Sequence, residues 1–230
     1  MPEYRQLRFA PPPGAATILL VRHGESEPLD DDRPFPLLDG QGDPALAPEG
    51  HEQARLVCAR LALEAVDAVY VTSLRRTAQT AAPLVASLGI DPVVEPDLRE
   101  VFLGEWEGGL LRKMMVEQGP LARRVTAEQR WEIVPGAESA ATFSGRVRRG
   151  LERIAAAHPD QRVALFTHGG VIGDALAQVT RSEPFAFTGA DNGSISEIVV
   201  ASPRWIVRRF NDTAHLEGGS TRRLGAPPGT

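Results

Sequence analysis

The chain has a single cysteine, Cys58, so no internal disulfide is available to it. A small scaffold held by crosslinks is excluded, and a reducing, cytoplasmic compartment is expected. Lysine is equally scarce. Lys113 is the only one among 25 basic residues, an imbalance read as the codon bias of a GC-rich genome. No apolar run approaches the roughly 20 residues that a membrane helix needs. The stretch from Met1 to Ala16 carries Pro11-Pro12-Pro13 and lacks the apolar centre of a signal segment. An excess of positive charge is missing too: 30 acidic residues against 25 basic ones give a net charge of −5. Neither nucleic acid nor a membrane surface is expected as a partner.

What is present describes an ordinary globular chain. Hydrophobic residues make up 42% and charged residues 24%. A length of 230 residues suffices to bury a substantial core as one domain. Apolar runs at 17–21, 67–71, 92–94, 162–167, 195–200 and 204–210 predict strands. The stretches 49–64, 75–88, 138–157 and 170–180 predict helices, and Ser73 stands where it can cap the second. Strand–helix alternation implies a mostly parallel sheet covered on both faces. The last two strands, joined by Ser202-Pro203, read as a hairpin that makes one edge strand antiparallel.

Two segments interrupt this alternation. Residues 27–47, with Asp30-Asp31-Asp32 and four prolines, read as a long acidic loop of the kind that forms lids. Residues 109–134 read as a small helical cap. They carry Arg112, Lys113, Arg123, Arg124 and Arg130 against Glu117, Glu128 and Glu132. The domain expected is thus a core of about 16–212 with the cap inserted, and the ends 1–15 and 215–230 read as loose.

The chemistry-bearing residues collect at strand ends. The strand at 17–21 runs straight into Arg22-His23-Gly24, and the strand at 162–167 into His168-Gly169-Gly170. The strand at 67–71 leads to Thr72-Ser73-Leu74-Arg75-Arg76, and Leu98-Arg99-Glu100 lies between. If these strands are parallel, all of these groups meet on one edge of the sheet, where open α/β folds place ligands. A guanidinium pairs with phosphate oxygens in a planar fork, and an imidazole can act as nucleophile. Arg-His-Gly alone is a common tripeptide, so the ordered set carries the reading. A zinc site joining His23, His168 and Glu100 lacks any ligand spacing in its favour. His51 is placed on the polar face of the first helix, His158 at a helix end before Pro159, and His215 in the tail.

The ordered set resembles the histidine phosphatase superfamily, which includes the cofactor-dependent phosphoglycerate mutases. The matching pieces are Arg22-His23-Gly24-Glu25-Ser26, Leu46-Ala47-Pro48-Glu49-Gly50 with Gln53-Ala54, and Ser73-Leu74-Arg75-Arg76. Leu98-Arg99-Glu100 with Trp106-Glu107-Gly108, Pro135-Gly136 with Glu138-Ser139, and Thr167-His168-Gly169-Gly170 complete them, over residues 17–200. The resemblance implies a three-layer α/β/α sandwich and a phosphatase with no cofactor and no metal. It implies that His23 attacks phosphorus and that Arg22, Arg76 and His168 supply positive charge to the phosphate. A backbone N–H donated by Gly169 is expected there as well. The resemblance implies Glu100 as the general acid, ahead of Glu105 and Glu107. For that role it must hold a proton when substrate binds, a state that burial or a neighbouring phosphate dianion favours. Arg76 is preferred to Arg75 on the spacing Leu74, Arg76, Thr80.

Leu29 stands where many members have asparagine, and Gly173 where an arginine is common. The arginine-rich segments of the mutases are missing. Hydrolysis of a small phosphorylated metabolite is therefore expected, with a mutase and a non-catalytic phospho-ligand binder as alternatives. A homodimer is left open.

Overall fold

The computed structural model describes residues 5–30, 32–201 and 204–217. In chain order the elements are β1 (Ala16–Arg22), β2 (Leu37–Leu38), β3 (Gln41–Gly42), α1 (Pro48–Leu61), β4 (Ala68–Val71), α2 (Arg75–Leu88) and β5 (Val93–Val94). They continue with α3 (Leu110–Glu117), α4 (Pro120–Glu128), α5 (Ala140–Ala157), β6 (Arg162–Thr167), α6 (Gly169–Thr180), β7 (Ile195–Ala201) and β8 (Arg204–Asp212).

Six strands form one sheet in the order β5-β4-β6-β1-β7-β8. The first four run parallel; β7 pairs antiparallel with β1, and β8 antiparallel with β7. The expected hairpin edge is therefore present, although its connection at 202–203 lies outside the described residues. Side-chain alternation along β1 explains the layers. Ile18 and Leu20 face one core with Val147 and Leu151 of α5 and Ile172 and Leu176 of α6. Leu19 and Val21 face the other, with Val57 and Leu61 of α1 and Ala81 and Leu84 of α2. Both faces of the central strands are dry, which is why they read as unbroken apolar runs.

Register sets the site. Arg22 pairs opposite Thr167, and Val71 of β4 pairs opposite Phe166. His23, His168 and Thr72 therefore leave three neighbouring strands at one level.

Several local expectations are revised. The 27–47 segment is not loop throughout. It folds into the β2–β3 hairpin, with Leu37 opposite Gly42. Asp39 and Gly40, both at positive φ, supply the tight turn. Ser73 does not cap α2. Asp43 does so from the hairpin, accepting the Arg75 backbone N–H at 2.8 Å and its Nε at 2.9 Å. A carboxylate suits a helix N-terminus for its charge as well as its lone pairs.

The C-terminal segment is ordered further than expected. Residues 214–216 form a 3-10 turn with Leu216 buried, and His215 Nε2 lies 3.0 Å from the Gly193 carbonyl. His51 is exposed on α1, as expected. His158, at the end of α5, bridges Tyr70 Oη and Gln161 Oε1 at 3.0 and 2.6 Å.

The cap is helical: α3, α4 and the turn Trp131–Ile133 stand over the α5–α6 face, with Ala122 and Val125 buried. No helix among the described residues is long and apolar enough to cross a membrane.

Candidate active site

His23 is buried where β1 ends. Its Nδ1 lies 2.7 Å from the Gly24 carbonyl. A carbonyl only accepts, so Nδ1 carries the proton and Nε2 keeps a free lone pair. Burial pushes the imidazole well below the ordinary histidine value, and the guanidiniums of Arg76 and Arg22 push it further. The ring is therefore neutral near pH 7, the state in which its nitrogen is nucleophilic. The turn that carries it is tied down from three sides. Thr80 Oγ1 accepts the Gly24 N–H at 3.0 Å, and Asn192 Nδ2 donates to the His23 carbonyl at 2.9 Å. Gln53 Oε1 accepts the Glu25 N–H at 2.8 Å.

The predicted cations do gather around it. Arg76, buried on the first turn of α2, donates from Nη1 to the Gly42 carbonyl at 2.9 Å. Burial lowers its pKa to about 10, with Glu100, Asp43 and Glu107 opposing the shift, so it stays charged. Arg22 donates to the Ala190 carbonyl, and its buried Nε has no partner among the described residues. Gly169, at the start of α6, packs against that guanidinium: a Cβ there would lie 3.5 Å from Nε. Arg75 points away to Asp43, on the side expected for a surface arginine.

His168 departs from its expected cationic role. It is fully buried, its ring centroid 5.3 Å from that of His23, and burial followed by the charge of Arg76 pushes it well below the ordinary value. Without a phosphate dianion beside it, the ring is neutral. Its Nε2 lies 3.0 Å from Thr72 Oγ1, while Nδ1 is buried with no partner among the described residues.

Glu100 and Glu107 both reach the site, and Glu105 is exposed. Glu107 is committed to backbone: its two oxygens accept the Leu103 and Gly42 N–H groups at 2.9 and 2.7 Å. It joins the 103–107 turn to the hairpin. Glu100 accepts from Val101 N at 2.9 Å and from Gly170 N, on the first turn of α6, at 3.1 Å. A Cβ on Gly170 would lie 2.3 Å from Glu100 Oε1, so only glycine admits the carboxylate here.

Three features were not legible in the sequence. Arg112 of α3 lines the same cavity, donating to the Glu27 carbonyl at 2.7 Å and to Ser26 Oγ at 2.6 Å. Gln41 Nε2 and Arg146 Nη2 both donate to the Glu100 carbonyl, at 2.8 and 2.7 Å. Leu29, with Phe35, packs over Gly109 where the cap leaves the core. Nothing local marks these residues. Each acts across 30 residues or more of chain.

Together these groups line a cavity of about 210 Å³ that holds His23, Arg22, Arg76, Arg112 and Glu100 in its wall. Guanidiniums set around a neutral, nucleophilic nitrogen suit a phosphoryl group, because phosphoryl transfer asks a protein mainly for positioning and charge stabilisation. Among the described residues no cluster of three His, Cys, Asp or Glu side chains is placed to hold a metal ion.

The model of the histidine phosphatase superfamily (branch 1) matches residues 18–213. Phosphoserine phosphatase 1 of Hydrogenobacter thermophilus is 31% identical over 202 residues, covering 86% of this chain and 93% of that protein. Phosphoglycerate mutase-like protein 4 of Arabidopsis thaliana is 30% identical over 207 residues, covering 88% and 87%. The solved structure of mycobacterial glucosyl-3-phosphoglycerate phosphatase has a TM-score of 0.71 at 26% identity, over 85% of this chain and 98% of that one. The chain belongs to the histidine phosphatase superfamily and is a phosphatase of that type.

Proposed function

We propose that the protein hydrolyses a small phosphomonoester through a phosphohistidine on His23, without a metal. The observation that carries this reading is the hydrogen bond from His23 Nδ1 to the Gly24 carbonyl, which leaves Nε2 bare in a ring kept neutral by its surroundings. Nε2 attacks phosphorus, and the P–O bond to the alcohol breaks. Arg22 and Arg76 hold the equatorial oxygens, and His168, its ring centroid 5.3 Å from that of His23, assists from behind with an Nδ1 that makes no hydrogen bond among the described residues. Gly169 offers its backbone N–H from the N-terminus of α6. Glu100 gives its proton to the departing alkoxide. It then takes one from water, whose oxygen attacks the phosphohistidine and releases inorganic phosphate.

Rapid quench with labelled substrate tests this. An acid-labile, base-stable phosphoenzyme is expected in the wild type and none in His23→Ala, with turnover unaffected by EDTA. Label on serine, or activity that a chelator abolishes and a divalent ion restores, would overturn the reading.

A further inference from the structure

A second cavity, of about 450 Å³, opens beside the first. Arg22, Glu100, Val101 and Leu111 belong to the walls of both. The group that would protonate the departing oxygen therefore stands at the doorway between a small cationic chamber and a larger one. The larger chamber has a different chemistry. Trp131 of the cap and Phe185 of the 181–189 segment lie with ring centroids 4.9 Å apart and planes 37° apart, and Phe143 of α5 adds a third ring. Gln129 Oε1 accepts the Phe185 N–H at 3.0 Å, which fixes this wall to the cap. Gly173 makes the opposite side possible. A Cβ there would lie 3.2 Å from the Phe187 carbonyl, so a longer residue would push the 181–189 wall away from α6.

Three carboxylates line this mostly apolar chamber: Glu100 at the doorway, Glu138, which is held by Arg146 and the Phe102 N–H, and Asp174. Asp174 accepts from Ser144 Oγ and, at 2.6 Å, from Gln178 Nε2. A carboxylate offers about four lone-pair positions, so roughly two remain for a ligand. Burial raises the Asp174 pKa, and the two hydrogen bonds and the charge of Arg146 oppose the shift. The charge thus sits in a desolvated place, where an added donor is worth most.

We propose that this chamber receives the alcohol portion of the substrate. It selects phosphomonoesters whose leaving group joins a flat ring to a hydrogen-bond donor, an amino or hydroxyl group, that reaches Asp174. The ring lies against Trp131 and Phe185 and the donor meets the carboxylate, while the phosphate occupies the cationic chamber. This rests on the hydrolase reading and deepens it. A cavity of this volume suits a metabolite-sized group and not a polymer.

The test compares kcat/KM for tyramine phosphate (ring and amine), phenyl phosphate (ring alone) and phosphoethanolamine (amine alone). Tyramine phosphate is expected to exceed each of the others by about tenfold or more, the advantage a hydrogen bond to a charged group gives. Asp174→Asn should bring kcat/KM for tyramine phosphate down to that for phenyl phosphate in the same variant, since only the amine-bearing ester uses the carboxylate. Trp131→Ala should weaken both ring-bearing esters and spare phosphoethanolamine. Equal kcat/KM for all three esters, unchanged in Asp174→Asn, overturns the proposal while the hydrolase reading stands. Should no ester release phosphate, the hydrolase reading fails, and calorimetric titration with tyramine alone still decides on the chamber. Binding to wild type that Asp174→Asn loses upholds it, and no binding to either overturns it.

Discussion

At the scale of single residues, the two site histidines make stability depend on pH. Burial and the guanidiniums of Arg76 and Arg22 hold His23 and His168 well below the ordinary value of 6.5. In the unfolded chain both titrate near that value. Below it the unfolded state binds protons that the folded site refuses, so stability falls as pH drops beneath 6.5 and is regained above it. The expected loss is about 1.4 kcal/mol per histidine at about pH 5.5. Urea unfolding at about pH 5.5 and 7.5 measures it, and His168→Gln should lose one histidine's share of the difference. Glu100 provides a second prediction. In Gly170→Ala the new Cβ would stand 2.3 Å from Oε1, and the carboxylate, as the far end of a flexible side chain, swings away. The fold should survive. Turnover of alkyl phosphates should fall by about 10²-fold, the usual scale of general acid catalysis. Nitrophenyl phosphate, whose leaving group needs little protonation, should lose far less. Equal losses for both would assign Glu100 an electrostatic role.

Elements position the site through contacts that bridge layers. The 97–102 segment, which carries Glu100, has no regular ladder of its own there. Arg146 of α5 replaces one, donating to the carbonyls of Asp97, Arg99 and Glu100 at 2.8, 2.6 and 2.7 Å. It also pairs with Glu138 at 2.5 Å, both side chains largely buried. Glu138 in turn accepts the Phe102 N–H at 2.7 Å. Arg146→Met leaves a buried carboxylate without its partner, a loss of about 3 kcal/mol or more. Chemical denaturation should show that loss, and Glu138→Gln added to it should return part, since the uncompensated charge is then gone. A double variant no more stable than Arg146→Met would mean that the unpaired carbonyls dominate. At the start of α2, Asp43 does for the hairpin what Arg146 does for the 97–102 segment: it caps the helix and brings Gly42 to Arg76.

For the whole molecule, the arrangement of charge separates hydrolysis from transfer between positions of one substrate. A mutase must hold the half-reacted product by its carboxylate while it turns. Of the cap arginines, Arg112 is engaged by Ser26 and the Glu27 carbonyl, Arg123 by the Gln118 carbonyl and Arg124 by Glu128. The adjoining chamber is mostly apolar, and its charged groups besides Arg22 are the acidic Glu100, Glu138 and Asp174. 3-Phosphoglycerate primed with 2,3-bisphosphoglycerate should therefore yield little 2-phosphoglycerate, while simple esters release phosphate. Primer-dependent interconversion faster than phosphate release would refute this and direct attention to Arg112.

Local chemistry in the chain determined a good deal. Apolar runs bounded by glycine and polar residues set β1, β4 and β6 nearly to the residue, because strands buried on both faces tolerate little else. The residues proposed to meet the phosphate were legible for the same reason: Arg22, His23 and His168 follow directly on those strands, and parallel pairing brings strand ends together. Tertiary structure decided the rest. Asp43 as the cap of α2, Arg146 as the clamp on Glu100 and Arg112 in the cationic cavity all depend on contacts between residues 32 to 86 positions apart. The neutrality of His168 depends on burial and on neighbouring guanidiniums, neither of which its own strand encodes. The chamber that ends at Asp174 has walls from the cap, α5, α6 and the 181–189 segment. A cavity is a relation between distant surfaces, and packing alone fixes it.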